Sequence, residues 1–290
     1  MLPDLAALYV ASSKVARVIP DSVATALMAA GGSAWFELSR GQRAAALDNY
    51  GAVLRLPPGH PDVQRTARRA FQNYGRTLFD FTLIPRLSVE EVSERVKTYG
   101  YEHLDRALER GRGAVLALAH MGSWDMAGAA AAGVLGYDIY AVMESFPGSL
   151  GRAVLEGREH FGLKTVPLDR RLVGRAGEIL GRNGVFCLLA DVPHGGTVDV
   201  TMFERRVGLG SGPAALALRY GAAILVVTMW STGPGRYRLQ VEPELIYEAS
   251  ANRRRDVAEL TQRIATQFER RIRAHPDQWY AFRPLLRPAA

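Results

Sequence analysis

The feature that most constrains this chain is a change of texture near residue 100. Beyond it, apolar runs of strand length (114–119, 139–143, 185–190 and 223–230) alternate with stretches of helical spacing. Continuous apolar runs fit strands buried on both faces, because strands with one wet face show polar residues at every second position. Residues 125–135, 152–161, 172–181 and 213–220 read as the intervening helices, and 254–274 as a long amphipathic helix. Residues 165–168 and 237–241 read as further short strands, and 191–212 as a loop. Strands alternating with helices predict an α/β fold with a mainly parallel central sheet flanked by helices.

Upstream the pattern is helical throughout. Residues 42–54 and 61–84 carry apolar side chains near a 3.6-residue period, separated by Pro57-Pro58-Gly59. Ser88-Val89-Glu90-Glu91 is a capping signal for another helix. This divides the chain into a helical N-terminal region, 1–95, and an α/β core, 96–290, expected to form one compact domain overall. The 290 residues are enough for a large core, and 48% apolar with 22% charged residues excludes disorder and fibrous classes.

With 36 Lys+Arg against 29 Asp+Glu the net charge is +7, and the excess is arginine, since the lysines are Lys14, Lys97 and Lys164. Basic groups cluster at Asn252–Arg255, Arg170-Arg171 and Arg205-Arg206, and such clusters suit anionic partners. No recognition-helix, zinc or RNA-binding signature accompanies them, so nucleic acid is not the expected partner. The single cysteine, Cys187, cannot form an internal disulfide and reads as an inert core thiol. Residues 5–11 and 23–30 are apolar but too short to span a bilayer, and no basic residue precedes the first as in a signal peptide. They either lie in a membrane interface or pack on the protein's own core.

The strongest chemical signal is Ala119-His120-Met121-Gly122-Ser123-Trp124-Asp125, between a predicted buried strand and a predicted helix. Ligands collect at the carboxyl ends of such strands. A histidine there can act as a general base, and a carboxylate five residues on can turn back to orient it. The same spacing also fits a histidine at a strand end beside an unrelated helix-capping aspartate. No serine stands in a G-x-S-x-G context, so the nucleophile is expected to come from the substrate.

The His-x4-Asp motif, in the form HMGSWDMAG, resembles the bacterial glycerolipid and glycolipid acyltransferase superfamily. The closer likeness is to the branch holding the lipid A late acyltransferases and the mycobacterial phosphatidylinositol mannoside acyltransferase. NYGRTLFDF (73–81), GREHFG (157–162), LLAD (188–191), SGPAALALRYGA (211–222) and HPDQWYAF (275–282) follow that branch in order. The resemblance implies acyl transfer from acyl-CoA or acyl carrier protein to a hydroxyl of an anionic membrane lipid or glycolipid, with no cofactor, metal or acyl-enzyme. A phosphatidylinositol mannoside-like acceptor is favoured over a lipid A precursor. It implies His120 as the base and Asp125 as its support.

The resemblance also implies a further site acid in the loop after the LLAD strand, with Asp199 the first choice and Asp191 and Glu204 behind it. The family often shows Phe-Phe-Gly where this chain has Met202-Phe203-Glu204. Arg158 and, more weakly, Arg152 match a position suited to binding phosphate. Ser211-Gly212-Pro213 resembles the proline motif near the acyl-chain groove, and by chemistry Ser211 is a good helix cap. His194 reads as an exposed loop histidine and 275–279 as a structural corner. The resemblance places the protein peripherally on the cytoplasmic face of the membrane. A lipid-binding protein without turnover, and a thioesterase using water, remain as alternatives.

Overall fold

The computed structural model describes residues 5–143, 148–193 and 196–287; His194 lies outside them. Five helices come first: α1 (Leu5–Ala16), α2 (Asp21–Leu38), α3 (Arg40–Leu54), α4 (Pro61–Leu83) and α5 (Val89–Arg95). The sequence sets their ends. Pro61 occupies the first turn of α4, where a missing N–H costs nothing. Ser88 and Glu91 close a reciprocal capping box on α5.

The core then runs β1 (Val96–Tyr99), α6 (Tyr101–Leu108), β2 (Ala114–Leu118), α7 (Trp124–Ala129), β3 (Ile139–Met143), α8 (Gly148–Glu159), β4 (Lys164–Pro167), α9 (Leu172–Gly181) and β5 (Val185–Leu189). It continues with β6 (Thr197–Met202), β7 (Arg205–Gly210), α10 (Gly212–Tyr220), β8 (Ala223–Gly233), β9 (Arg236–Val241), α11 (Arg253–Ala274) and β10 (Leu286–Arg287). Among the described residues, seven strands form the central sheet in the order β1-β9-β8-β2-β5-β3-β4. β8, β2, β5, β3 and β4 are parallel, whereas β9 runs antiparallel to β8 and carries β1 with it. The fold is therefore α/β with a mostly parallel sheet, as the alternating pattern implies.

The apolar runs are continuous because each strand feeds two buried layers. On β2, Val115 and Ala117 face one apolar cluster while Ala114 and Leu116 face the other. Phe36, Tyr50 and Phe71 of α2, α3 and α4 belong to the first cluster, so the N-terminal helices share a core with the sheet.

Two elements differ from expectation. Residues 191–212 are not all loop: β6 and β7 form an antiparallel hairpin, joined to β10 in a second sheet. The period-two pattern of Val198, Val200 and Met202 is present, but polar residues between them mask a strand. The hairpin turn holds Phe203 (φ 54°) and Glu204 (φ 62°) in the left-handed region. A two-residue turn of this kind favours Asn-Gly or Gly, so its residues did not advertise it. β1 also went unrecognised, because it follows α5 without a break.

Candidate active site

β2 lies at the centre of the sheet and ends in the loop that carries His120. Gly122 makes that loop possible. Its φ is +62°, and a Cβ there would sit 2.3 Å from the Met229 carbonyl oxygen of β8. The loop is pinned from the other side by the C-terminal corner. The Tyr280 N–H donates to the His120 carbonyl at 2.9 Å, and the Gly122 N–H donates to the Gln278 carbonyl at 2.9 Å. Tyr50 holds the same corner through a hydrogen bond to the Trp279 carbonyl.

The carboxylate on His120 comes from the neighbouring parallel strand. Asp191 follows β5, and its Oδ1 lies 2.7 Å from His120 Nδ1. The Trp279 indole N–H donates to the other oxygen, Oδ2, at 2.8 Å. Asp191 is only 2% exposed. Burial would raise its pKa, but the positive charge of His120 and the hydrogen bonds from His120 and Trp279 outweigh this and hold it below the usual carboxylate range. An ionised Asp191 only accepts, so Nδ1 carries the proton and Nε2 is the basic nitrogen of neutral His120.

Asp125 is placed differently from the expectation that it orients His120. It sits in the first turn of α7, where its Oδ1 accepts from Arg158 Nε at 2.9 Å and Nη2 at 2.7 Å. The helix turn carries the carboxylate away from Nδ1 and toward α8, and the pair is largely buried. Arg158 is thus committed to Asp125. Arg152 stands exposed on α8.

The other expected acids are not in this cluster. Asp199 lies on β6, with an ion pair to Arg206 at 2.7 Å, because the hairpin carries it out along the second sheet. Glu204 lies on the exposed hairpin turn and pairs with Arg55. Ser211 does not cap α10 with its side chain; its hydroxyl donates to the Gly196 carbonyl at 2.9 Å. Pro213 is buried in the first turn of α10, and a Cβ at Gly212 would meet the Leu188 side chain at 3.4 Å. Sequence reasoning gave Asp191 only second rank and read Trp279 as part of a structural corner.

An apolar groove opens beside Asp125 and Arg158 and encloses about 800 Å³ including its mouth. Its floor is one face of the sheet, with Leu116 and Leu118 of β2, Cys187 and Leu189 of β5, Ile139 of β3 and Val227 of β8. Its roof is α7 and the π-helical turn after it. The roof sequence WDMAGAAAAGV explains the space, since Ala and Gly side chains are too short to fill the gap between helix and sheet. Burial pushes the Cys187 thiol up to about 12, so it is a wall rather than a nucleophile.

A family model for bacterial lipid A biosynthesis acyltransferase matches residues 4–288. The chain belongs to this acyltransferase family. It is 31% identical over 283 residues to the phosphatidylinositol mannoside acyltransferase of Mycolicibacterium smegmatis, covering 95% of this chain and 89% of that protein. It is 34% identical over 244 residues to the phosphatidylinositol mannoside acyltransferase of Mycobacterium tuberculosis, covering 81% of this chain and 74% of that protein.

Among the described residues, no helix of this acyltransferase is long and apolar enough to cross a membrane. Its first two helices nevertheless show an apolar outer surface. Val10, Val15, Val23, Leu27 and Leu38 are exposed, while Ala16, Ala24 and Phe36 pack inward. These helices thus pack on the core with one side and carry exposed apolar side chains on the other.

Proposed function

We propose that this acyltransferase moves a fatty acyl group from a thioester donor, acyl-CoA or acyl carrier protein, to a hydroxyl of a membrane glycolipid. The observation that carries this reading is the His120–Asp191 pair standing beside a long apolar groove. The groove's lining of aliphatic side chains suits an acyl chain. The relatives' names favour a phosphatidylinositol mannoside-like acceptor over a lipid A-like one.

In the proposed reaction His120 Nε2 takes the proton of the acceptor hydroxyl as the oxygen attacks the thioester carbonyl. The tetrahedral intermediate collapses, the C–S bond breaks, and His120 returns the proton to the leaving thiolate. Asp191 holds the imidazole in one tautomer and stabilises the imidazolium formed in between. The ester bond forms in one displacement, without an acyl-enzyme or a cofactor. Arg158, fixed by Asp125, forms the rim of the groove where the chain enters. The exposed apolar residues of α1 and α2 dock the enzyme peripherally on the membrane, on the cytoplasmic face where acyl thioesters are available.

The test is transfer of labelled palmitate from CoA and from acyl carrier protein to an extract containing phosphatidylinositol mannosides, with products resolved by mass spectrometry. His120→Ala is expected to abolish the product while circular dichroism stays unchanged. A folded His120→Ala variant with undiminished transfer would defeat the mechanism. Rapid release of free palmitate without a lipid acceptor would favour a thioesterase instead.

A further inference from the structure

Trp124 stands between two environments. One part of it lines the apolar groove, and its ring meets His120 edge to face at 5.4 Å. On the side away from the groove a cluster of rings continues: Trp124–Tyr280 at 6.1 Å, Tyr280–Tyr74 at 5.1 Å and Tyr74–Trp124 at 6.5 Å. All three rings are half-buried rather than enclosed. Among the described residues, neither the Tyr74 hydroxyl nor the Trp124 indole N–H has a hydrogen-bond partner, and neither residue is fully buried, which leaves both polar tips available to a ligand.

Tyr280 is also a wall of a polar cavity, about 700 Å³ including its open mouth, on the β8 side of the His120 loop. Gln72, Asn73, Thr77, Ser231 and Gln278 line it. Thr77 and Ser231 bond within the protein, Gln72 Nε2 donates to Ser33 and Asn73 Nδ2 to the Asp277 carbonyl, whereas no internal hydrogen bond among the described residues takes up the Gln72 and Asn73 amide oxygens or the Gln278 amide N–H. The cation in its wall, Arg76, is already occupied by Asp80, Asp21 and Tyr237. A phosphate seat needs an uncommitted cation. A sugar ring needs an aromatic surface for its C–H face and neutral donors and acceptors for its hydroxyl rim. This wall supplies the second set.

We infer that Tyr74, Trp124 and Tyr280, with the adjoining polar cavity, seat a sugar ring of the acceptor headgroup and present its hydroxyl to His120. The inference rests on the acyl-transfer reading for the identity of the acceptor. It gives a role to the stretch NYGRTLFDF, whose Asn73 and Tyr74 stand at this surface. The acyl chain then approaches His120 from the groove side of Trp124 and the sugar from the other side.

The test uses Tyr74→Leu and Gln72→Met, neither of which touches the groove or the His120–Asp191 pair. Each is expected to raise KM for the glycolipid acceptor about tenfold with kcat within about twofold, the signature of lost ground-state and transition-state binding alike. Independently of turnover, saturation-transfer NMR with methyl mannoside should show contact in the wild type and loss in Tyr74→Leu, while glycerol phosphate shows none. Unchanged acceptor KM in both variants overturns the inference and leaves acyl transfer standing. A wild type that makes no His120-dependent product fails the acyl-transfer reading instead, and an absent mannoside signal then overturns the sugar seat as well.

Discussion

Replacing Trp279 by Phe removes one hydrogen bond from the most buried acid in the site and leaves a ring in place. The indole N–H lies 2.8 Å from Asp191 Oδ2, and both residues are at most 2% exposed. A hydrogen bond to a charged acceptor is worth about 1.5–3 kcal/mol. If that anchoring is realised in the aligned His120–Asp191 geometry of the transition state, kcat falls about 10- to 150-fold. Trp279 lines neither the groove nor the polar cavity, so both KM values are expected to stay within about twofold. Loss of the donor also raises the Asp191 pKa from its depressed value, because a bond favouring the charged form is gone. The assay is steady-state transfer by wild type, Trp279→Phe, Asp191→Asn and the double variant. Coupling through the carboxylate makes the Phe substitution nearly silent once Asp191 is Asn. If Trp279→Phe costs the same factor in both backgrounds, the indole acts by packing alone and the positioning argument is refuted.

Cys187→Trp fills the groove floor. If it displaces about four methylenes at about 0.8 kcal/mol each, kcat/KM falls about 200-fold for a palmitoyl donor, with a hexanoyl donor little affected. A chain-length profile measures this, and uniform loss across donors would deny the groove its role. Glu204→Gly relieves the left-handed turn, worth about 1–2 kcal/mol, against about 0.5–1 kcal/mol of added chain entropy. A net gain of about 0.5–1 kcal/mol should raise Tm by about 2 °C in calorimetry. Asp191 has a native pKa below its unfolded value near ~3.9. Its contribution to stability is therefore complete above about pH 4 and lost as pH falls through the native value. Urea midpoints between pH 7 and pH 3 should fall more steeply for wild type than for Asp191→Asn.

The parallel core was legible because burial on both faces writes itself as unbroken apolar runs. Leu172–Gly181 and Ile139–Met143 begin and end where the pattern changes. The β6–β7 hairpin was not legible, since half its residues face water and its turn uses Phe203 and Glu204 rather than glycine. His120 was legible from its place after a buried strand. Its partner stood only behind Asp199 among the candidate acids, because pairing across parallel strands joins residues 71 positions apart and leaves no spacing to read. Trp279 was hidden for the same reason: its indole reaches Asp191 across 88 positions.

The position of Asp191 explains why the two ends of His-x4-Asp make different contacts here. Side chains at the carboxyl ends of adjacent parallel strands emerge side by side, since neighbouring strands lie about 4.8 Å apart. β2 and β5 are paired in register from Ala114–Val185 to Leu118–Leu189, so His120 and Asp191 each come two residues after the last pair. Sheet geometry alone brings them together. Asp125 lies on the first turn of a helix that must pack over the sheet, and a carboxylate there faces α8. It is placed to fix Arg158 at the groove mouth rather than to reach Nδ1. Asp125→Asn should therefore act through the acyl donor: weaker binding of the acyl thioester, with the pH profile of kcat left in place. Asp191→Asn should lower kcat itself, by up to about 10⁴-fold if the tautomer is lost as in serine-protease triads. Reversal of that split would return Asp125 to the side of His120.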